Sequence, residues 1–273
     1  MHIVASIITF LIVALLTAPR CGAESVAELS EESGLLMRAR MSHEPTAVVK
    51  QAVLLLDAKL DQDASNRSAW MRLGEALAIG HAKSKHAASA AEAWRQAYHL
   101  DSSDCHAGAL AAGSTEAGQS EIWTKDLARE HPNCPEALYL SALQAKEGSK
   151  ARTVLLQQSI AQRESAEALV TLAQELSKSG NLKVATKKYT AALSSTPLFP
   201  EDWRPDGWVS VHAHLGLAWI HFSRRQMSLA RSEYRKFLDW FIEPGPWHDL
   251  SEAEERWHNE LDANIFVTSA TSR

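Results

Sequence analysis

The sequence has 273 residues, with 28 Lys and Arg against 33 Asp and Glu, for a formal net charge of −5. This acidic balance argues against a nucleic-acid binder, because such proteins carry a basic excess or stripe. Gly and Pro supply only 12 and 9 residues, and Ala and Leu are abundant. That composition favours helix and excludes the collagen-like, disulfide-scaffold and disordered classes.

The first segment, residues 3–18, is almost unbroken apolar sequence and is typical of an export signal. Small residues at Cys21 and Ala23 fit a cleavage site, which predicts a signal peptide over residues 1–23 and an exported chain, periplasmic or secreted. The apolar run is shorter than the roughly 20 residues that a spanning helix needs. Because no Lys or Arg precedes the run, an uncleaved anchor that tethers the chain to a membrane stays open as the alternative.

A helical hairpin is the clearest pattern in the rest of the chain, over residues 166–197. Leu169, Leu172 and Leu176 recur at the spacing of one helix face. Gly180 then interrupts the pattern, a second helix presents its own apolar face, and a proline ends it. Two short amphipathic helices cannot bury their faces alone, so the hairpin predicts stacked neighbours.

This unit resembles the tetratricopeptide repeat, a helical hairpin of 34 residues. The positions that match are Leu169, Leu172, Ala173, Leu176, Ala185, Tyr189, Ala192 and Pro197. Looser copies extend over roughly residues 30–242, with five or six repeats as open alternatives. The resemblance implies an all-α solenoid of stacked antiparallel helix pairs.

The chain beyond the repeats predicts a capping helix. Ser251 and Glu254 form a capping-box signature, so a helix is expected over residues 252–264, with Trp257 and Leu261 on one face. The predicted domains are the signal peptide over 1–23, the repeat domain over 24–242, and the cap and tail over 243–273.

The resemblance also implies a non-enzymatic scaffold that binds a protein or peptide partner in a groove lined by the first helix of each unit. The groove positions carried over by register are Met71, Glu75, Tyr139, Leu143, Val170 and Gln174. Trp203 and Trp208 lie in a Pro-rich interruption, residues 197–208, which is expected to fold over the groove and either plug it or contact the partner. An envelope or glycan-binding protein that uses these tryptophans, and a signal-anchored assembly factor, remain as alternatives.

The sequence contains no catalytic motif and predicts no cofactor. Its carboxylates are interpreted as solvated helix faces. His212 and His214 point about 200° apart on a helix, and His221 lies roughly 10 Å from His214, so these histidines predict no metal site.

Two further interpretations concern packing. Tyr189 is expected to pack between its own hairpin and the next one. Cys105 and Cys134 hold equivalent places in successive units, and stacked helices lie roughly 8–10 Å apart. A disulfide needs Cα atoms within about 7 Å. This spacing argues against a bridge, whereas an oxidising compartment favours one.

Overall fold

A computed structural model describes residues 31–40, 46–80, 82–199, 205–241 and 250–265. The predicted signal peptide and Trp203 lie outside these residues. The described chain forms thirteen α-helices and no strand. In chain order the helices are α1 Glu31–Arg40, α2 Thr46–Gln62, α3 Arg67–Ile79, α4 Ala90–Leu100, α5 Cys105–Gly113, α6 Ala117–Glu130, α7 Pro135–Gln144, α8 Lys150–Gln162, α9 Ala166–Lys178, α10 Leu182–Ala192, α11 Pro205–Ser223, α12 Met227–Phe241 and α13 Glu252–Ile265.

The helices stack as six successive pairs, and α13 follows the last pair. Each odd-numbered helix from α1 to α11 packs against the even-numbered helix after it. First helices of neighbouring pairs also contact one another, at α1–α3, α5–α7, α9–α11 and α11–α13. Shared apolar clusters link α3 with α5 and α7 with α9, so the first helices form one layer. The predicted all-α helical-repeat solenoid is confirmed, with six helix pairs in the described chain.

The hairpin of α9 and α10 shows why the sequence turns where it does. Gly180 has a φ of 79°, in the left-handed region that a residue without Cβ adopts at little cost. The Asn181 N–H donates to the Leu176 carbonyl at 2.8 Å, which satisfies a carbonyl at the end of α9. The helix boundaries predicted around Gly180 are confirmed.

Large aromatic rings enter places where only glycine leaves room. A Cβ added to Gly216 in α11 would lie 2.3 Å from Cζ of Tyr189, and one added to Gly74 in α3 would lie 2.3 Å from Nε1 of Trp94. Tyr189 is fully buried and links α10 to the next pair. The predicted packing of Tyr189 is therefore confirmed.

The capping helix α13 begins as its sequence signature predicts. The Ser251 hydroxyl donates to Oε2 of Glu254 at 2.8 Å, and the Glu254 N–H donates back to the Ser251 hydroxyl at 3.4 Å. Trp257 and Leu261 are buried in one apolar cluster with residues of α11 and α12, such as Leu215. The expected cap is confirmed.

One expectation is wrong, and the open question of a disulfide is decided. Trp208 lies in α11, which begins at Pro205, because proline is well suited to the first turn of a helix. Cys105 and Cys134 form a disulfide, with Cα atoms 6.3 Å apart. The spacing of 8–10 Å describes helix axes. Both cysteines lie at the N-terminal ends of α5 and α7, and the backbone at these two ends comes closer together than the helix axes do.

None of the helices in the described ranges is both long enough and apolar enough to cross a membrane.

Candidate functional site

A cavity of about 300 Å³ opens on the layer of first helices. Four successive first helices, α5, α7, α9 and α11, contribute to its wall, and Phe199 adds a ring from the connection between α10 and α11. The lining residues are Ala109, Leu110, Gly113, Ser114, Tyr139, Leu140, Leu143, Glu167, Phe199 and Trp208. The wall is mostly aliphatic and aromatic, with few polar groups, which is the usual character of a ligand or peptide site.

Three of the predicted partner-binding residues meet at this cavity. Tyr139 and Leu143 project from α7, and Trp208 projects from α11. Leu143 is 43 % exposed and offers open apolar surface at the rim, whereas Tyr139 is 7 % exposed and forms part of the wall. The structure thus brings together residues that lie 65 to 69 positions apart in the sequence.

The other predicted groove residues lie elsewhere. Met71 in α3 packs with Phe199 on the cluster formed by Trp94, Leu110 and Ala111. Glu75 is buried and pairs with Arg72 at 3.2 Å.

On α9, Val170 is fully buried and offers a partner no surface, which corrects its assignment to the groove. Gln174 donates to the Glu254 carboxylate at 2.9 Å, so it contacts the capping helix. The register position fails at Val170 because this side chain packs in one cluster with residues of α10 and α11, such as Tyr189 and Ala213.

The interruption 197–208 is expected from the sequence to fold over the groove, and its described residues 197–199 do lie on the first helices, but sequence reasoning singles out neither Phe199 nor any residue of α5 as a site residue. Phe199 stacks on His106 of α5, with ring centroids 6.1 Å apart and planes 23° apart. It also lies 6.3 Å from the Tyr139 ring, centroid to centroid. The sequence signal for α5 was the run of mostly small residues from Ala107 to Ala112, which lets neighbouring helices approach α5 closely. No local signal places Phe199 beside α5.

Glu167 and Arg163 hold the main chain of this segment. Glu167, in the first turn of α9, accepts the N–H of Leu198 at 2.7 Å through Oε2 and that of Phe199 at 3.4 Å through Oε1. Arg163 donates to the Leu198 carbonyl at 2.7 Å. A carboxylate and a guanidinium therefore fix the two peptide units that carry Leu198 and Phe199.

Arg163 also reaches a second buried carboxylate, Glu136 of α7. Its Nη2 lies 2.6 Å from Oε1 of Glu136, and His106 Nδ1 lies 3.1 Å from the same oxygen. The disulfide is adjacent, because Sγ of Cys134 lies 3.4 Å from Oε2 of Glu136. Burial raises the pKa of Glu136, but the hydrogen bonds from His106 and the backbone and the charge of Arg163 outweigh it, and the net pKa lies below the ordinary value.

A third buried carboxylate joins the capping helix to the solenoid. Oε1 of Glu254 in α13 lies 2.7 Å from Nδ1 of His212 in α11, and both side chains are almost fully buried. Burial raises the pKa of Glu254, but the charge and hydrogen bond of His212, with further hydrogen bonds from Gln174 and the Ser251 N–H, lower it to about 2.

The three histidines weighed as metal ligands have separate neighbours. His212 meets Glu254, His214 lies 2.7 Å from Oε2 of Glu233, and His221 lies 2.7 Å from the side-chain oxygen of Gln226.

The interpretation of the carboxylates as solvated is wrong for a group of residues within the described ranges. Seven carboxylates are less than a tenth exposed, namely Glu32, Asp57, Glu75, Glu136, Glu167, Glu175 and Glu254. Several have partners distant in sequence, such as Arg152 beside Glu175 at 3.2 Å. Helix periodicity shows only which face a residue occupies, and the partner that compensates its burial often comes from another part of the fold, although Glu75 pairs with Arg72 of its own helix.

The cavity can hold an apolar side chain. Its polar lining within the described chain consists of Ser114, Tyr139 and Glu167, and Glu167 is engaged with the main chain of Leu198 and Phe199. The arrangement supports binding by shape and apolar contact, with main-chain recognition beside it.

Comparison with known proteins adds little to this geometry. No protein-family model matches the chain, and no match is found among curated proteins. Among solved structures, the crystal structure of the yeast Tom70 is similar at a TM-score of 0.35, with 13 % sequence identity over 93 % of this chain and 68 % of that one. This similarity is too weak to support a fold or a function, so the helical-repeat assignment depends on the helices described above.

Proposed function

We propose that this chain is an exported, non-enzymatic scaffold of the tetratricopeptide type that binds a segment of a protein partner on its layer of first helices. One observation carries the proposal: the aromatic and aliphatic cavity formed jointly by α5, α7, α9 and α11. An apolar side chain of a partner would enter this cavity, and the exposed Leu143 would contact the partner at its rim. The export part depends on the sequence of residues 1–23 alone.

The cavity lies where the resemblance to the tetratricopeptide repeat places a binding groove, on the first helices of the units, and this agreement supports the proposal. A cavity that spans four first helices exists only when several units are stacked, so its binding surface is a product of the repeat architecture. Trp208 belongs to α11 and lines this cavity, and no described residue favours a glycan-binding surface over it.

Site-specific photo-crosslinking tests the proposal. A photoreactive side chain at Leu143 is expected to capture a discrete protein in cells that naturally produce the chain. The same group at Ile122, which is 63 % exposed on the second helix α6, serves as the matched control and is expected to capture none. After the captured protein is identified, Leu143→Asp should weaken its binding to the purified chain at least tenfold, about 1.4 kcal/mol, whereas Ile122→Asp should not.

Equal binding by the two aspartate variants would contradict a site on the first helices. Sequencing of the N-terminus of the natural protein tests export separately. A start at Glu24 is expected, and a full-length chain that only detergent extracts would favour the membrane-tethered alternative.

A further inference from the structure

The segment from Thr196 to Phe199 crosses the N-terminal end of α9 and lies on the layer of first helices. The Thr196 carbonyl accepts the Ala166 N–H at 3.0 Å, so the segment satisfies an N–H at the beginning of α9 that has no partner inside the helix. The next residues continue over the helix to reach α7 and α5. Part of the proposed binding surface is therefore already covered by the chain itself.

The segment is held in part through groups that every peptide possesses. Glu167 accepts two consecutive backbone N–H groups, of Leu198 and Phe199, and Arg163 donates to the carbonyl of Leu198. These two charged side chains recognise main chain outside regular secondary structure, so another polypeptide segment can replace the one present without loss of these hydrogen bonds.

Two side-chain sites add selectivity to this main-chain recognition. Leu198 is fully buried in a cluster with Tyr139, Leu156 and Leu172, which is an aliphatic site. The ring of Phe199 lies beside the rings of both His106 and Tyr139 and so occupies an aromatic site. The two sites are adjacent, in the order aliphatic and then aromatic along the chain.

The cavity continues from the aromatic site. Phe199 forms part of the cavity wall, and Leu143 and Trp208 form other parts, so the position of Phe199 borders open volume of about 300 Å³. A segment that replaces Phe199 with a larger aromatic group, or that continues beyond it, would bury apolar surface that residues 196–199 leave open. The internal segment thus fills only part of the site.

From these contacts we infer that residues 196–199 are an internal ligand, and that the partner presents a non-helical segment with an aliphatic residue followed by an aromatic one, which displaces Leu198 and Phe199 from Glu167 and Arg163. This inference rests on the proposed function and adds the chemistry of the partner and a self-inhibiting contact. The internal segment is covalently attached and has a high effective concentration, so a partner must exceed its affinity by use of the remaining cavity.

A synthetic peptide with the sequence of residues 194–199, SSTPLF, amidated at its C-terminus, tests the inference. Fluorescence anisotropy would measure its binding to the purified full chain and to a Leu198→Ser/Phe199→Ser double variant. The double variant vacates both sites, so it is expected to bind the peptide at least tenfold more tightly than the unaltered chain. A control peptide, SSTPSS, is expected to bind neither chain.

Adding Glu167→Gln to the double variant should weaken peptide binding at least fivefold, because the amide accepts N–H groups less strongly than the carboxylate does. Equal affinity of the double variant and the unaltered chain for SSTPLF, or equal affinity of the double variant for the two peptides, would overturn the inference.

Hydrogen exchange provides a readout that does not depend on the double variant being folded. In the chain with Glu167→Gln alone, the amides of Leu198 and Phe199 should exchange at least fivefold faster, while amides in the middle of α9 keep their rates. Unchanged exchange at both amides would show that Glu167 does not hold the segment. SSTPLF could fail to bind the double variant while Leu143→Asp still weakens binding of the crosslinked partner. That result would reject the internal ligand and leave the scaffold function standing.

Discussion

Two later parts of the chain contact the first helices, and they do so by different means. The segment 196–199 lies on α5, α7 and α9 and is held in part by main-chain hydrogen bonds to Glu167 and Arg163. Helix α13 lies against α11 and is held by side chains, including the buried pair of Glu254 and His212. From this contrast we expect a carboxylate that binds backbone to permit exchange of the bound segment, and a buried side-chain pair to specify one partner.

Apolar packing also differs between α13 and the segment 196–199. Trp257 of α13 stacks on Trp219 of α11, with ring centroids 5.7 Å apart and planes 11° apart, and Leu261 is fully buried nearby. Helix α13 thus contributes several anchors along 14 residues. The segment 196–199 contributes two side chains, Leu198 and Phe199. We therefore expect α13 to be a permanent part of the fold and the segment to detach at a lower free-energy cost.

The largest loss of stability is expected in the stacked helix pairs, which support both the segment and α13. Tyr189→Ala should lower the free energy of unfolding by about 4 kcal/mol, because it removes a fully buried ring and leaves a cavity beside Gly216. Urea denaturation followed by circular dichroism measures the loss. Lys187→Ala, at an exposed position of the same helix, is the control. A loss under about 1 kcal/mol would mean that the ring is not packed between the pairs.

A smaller, pH-dependent effect is expected at α13. Glu254→Gln should lower the free energy of unfolding at pH 7 by about 3 kcal/mol, because it breaks a buried pair. The folded-state pKa of Glu254 is lowered to about 2 from 4.5. The stabilisation by this carboxylate is therefore complete above about pH 4.5 and is lost as the pH falls toward 2.

The difference between the unaltered chain and Glu254→Gln should accordingly shrink across that pH window. Denaturant melts at several pH values between 7 and 2 would measure it. Glu255→Gln, an exposed neighbour on α13, is the control and should cost less than about 0.5 kcal/mol at every pH. A difference that stays constant down to pH 2 would contradict the role assigned to the Glu254 charge.

The smallest loss of stability is expected from a substitution in the segment 196–199. Leu198→Ala should cost about 1 kcal/mol, although Leu198 is fully buried, because the segment can detach while the helices stay folded. Leu261→Ala, an equally buried leucine in α13, is the matched comparison and should cost about 3 kcal/mol. The two variants would be compared in the same denaturant titration, and equal losses would remove the distinction between a detachable segment and a permanent cap.

The sequence predicts the framework well and the site only in part. The apolar face from Leu169 to Leu176, the break at Gly180 and the capping box at Ser251 all mark features that the structure contains. Tyr139, Leu143 and Trp208 were predicted as site residues and do line the cavity, whereas Val170 is buried. Periodicity places a residue on a helix face, but it does not determine how far a neighbouring helix covers that face.

By itself the sequence determined the all-α repeat architecture, the hairpin around Gly180, the capping helix and the burial of Tyr189, because these follow from local spacing, glycine and capping residues. Only the tertiary structure decided which distant groups meet. The Cys105–Cys134 disulfide, the pairing of Glu254 with His212 and the hold of Glu167 on the segment 196–199 each join different elements of the fold. Their energies depend on distances and burial that arise when the pairs stack, so no local pattern in the chain records them.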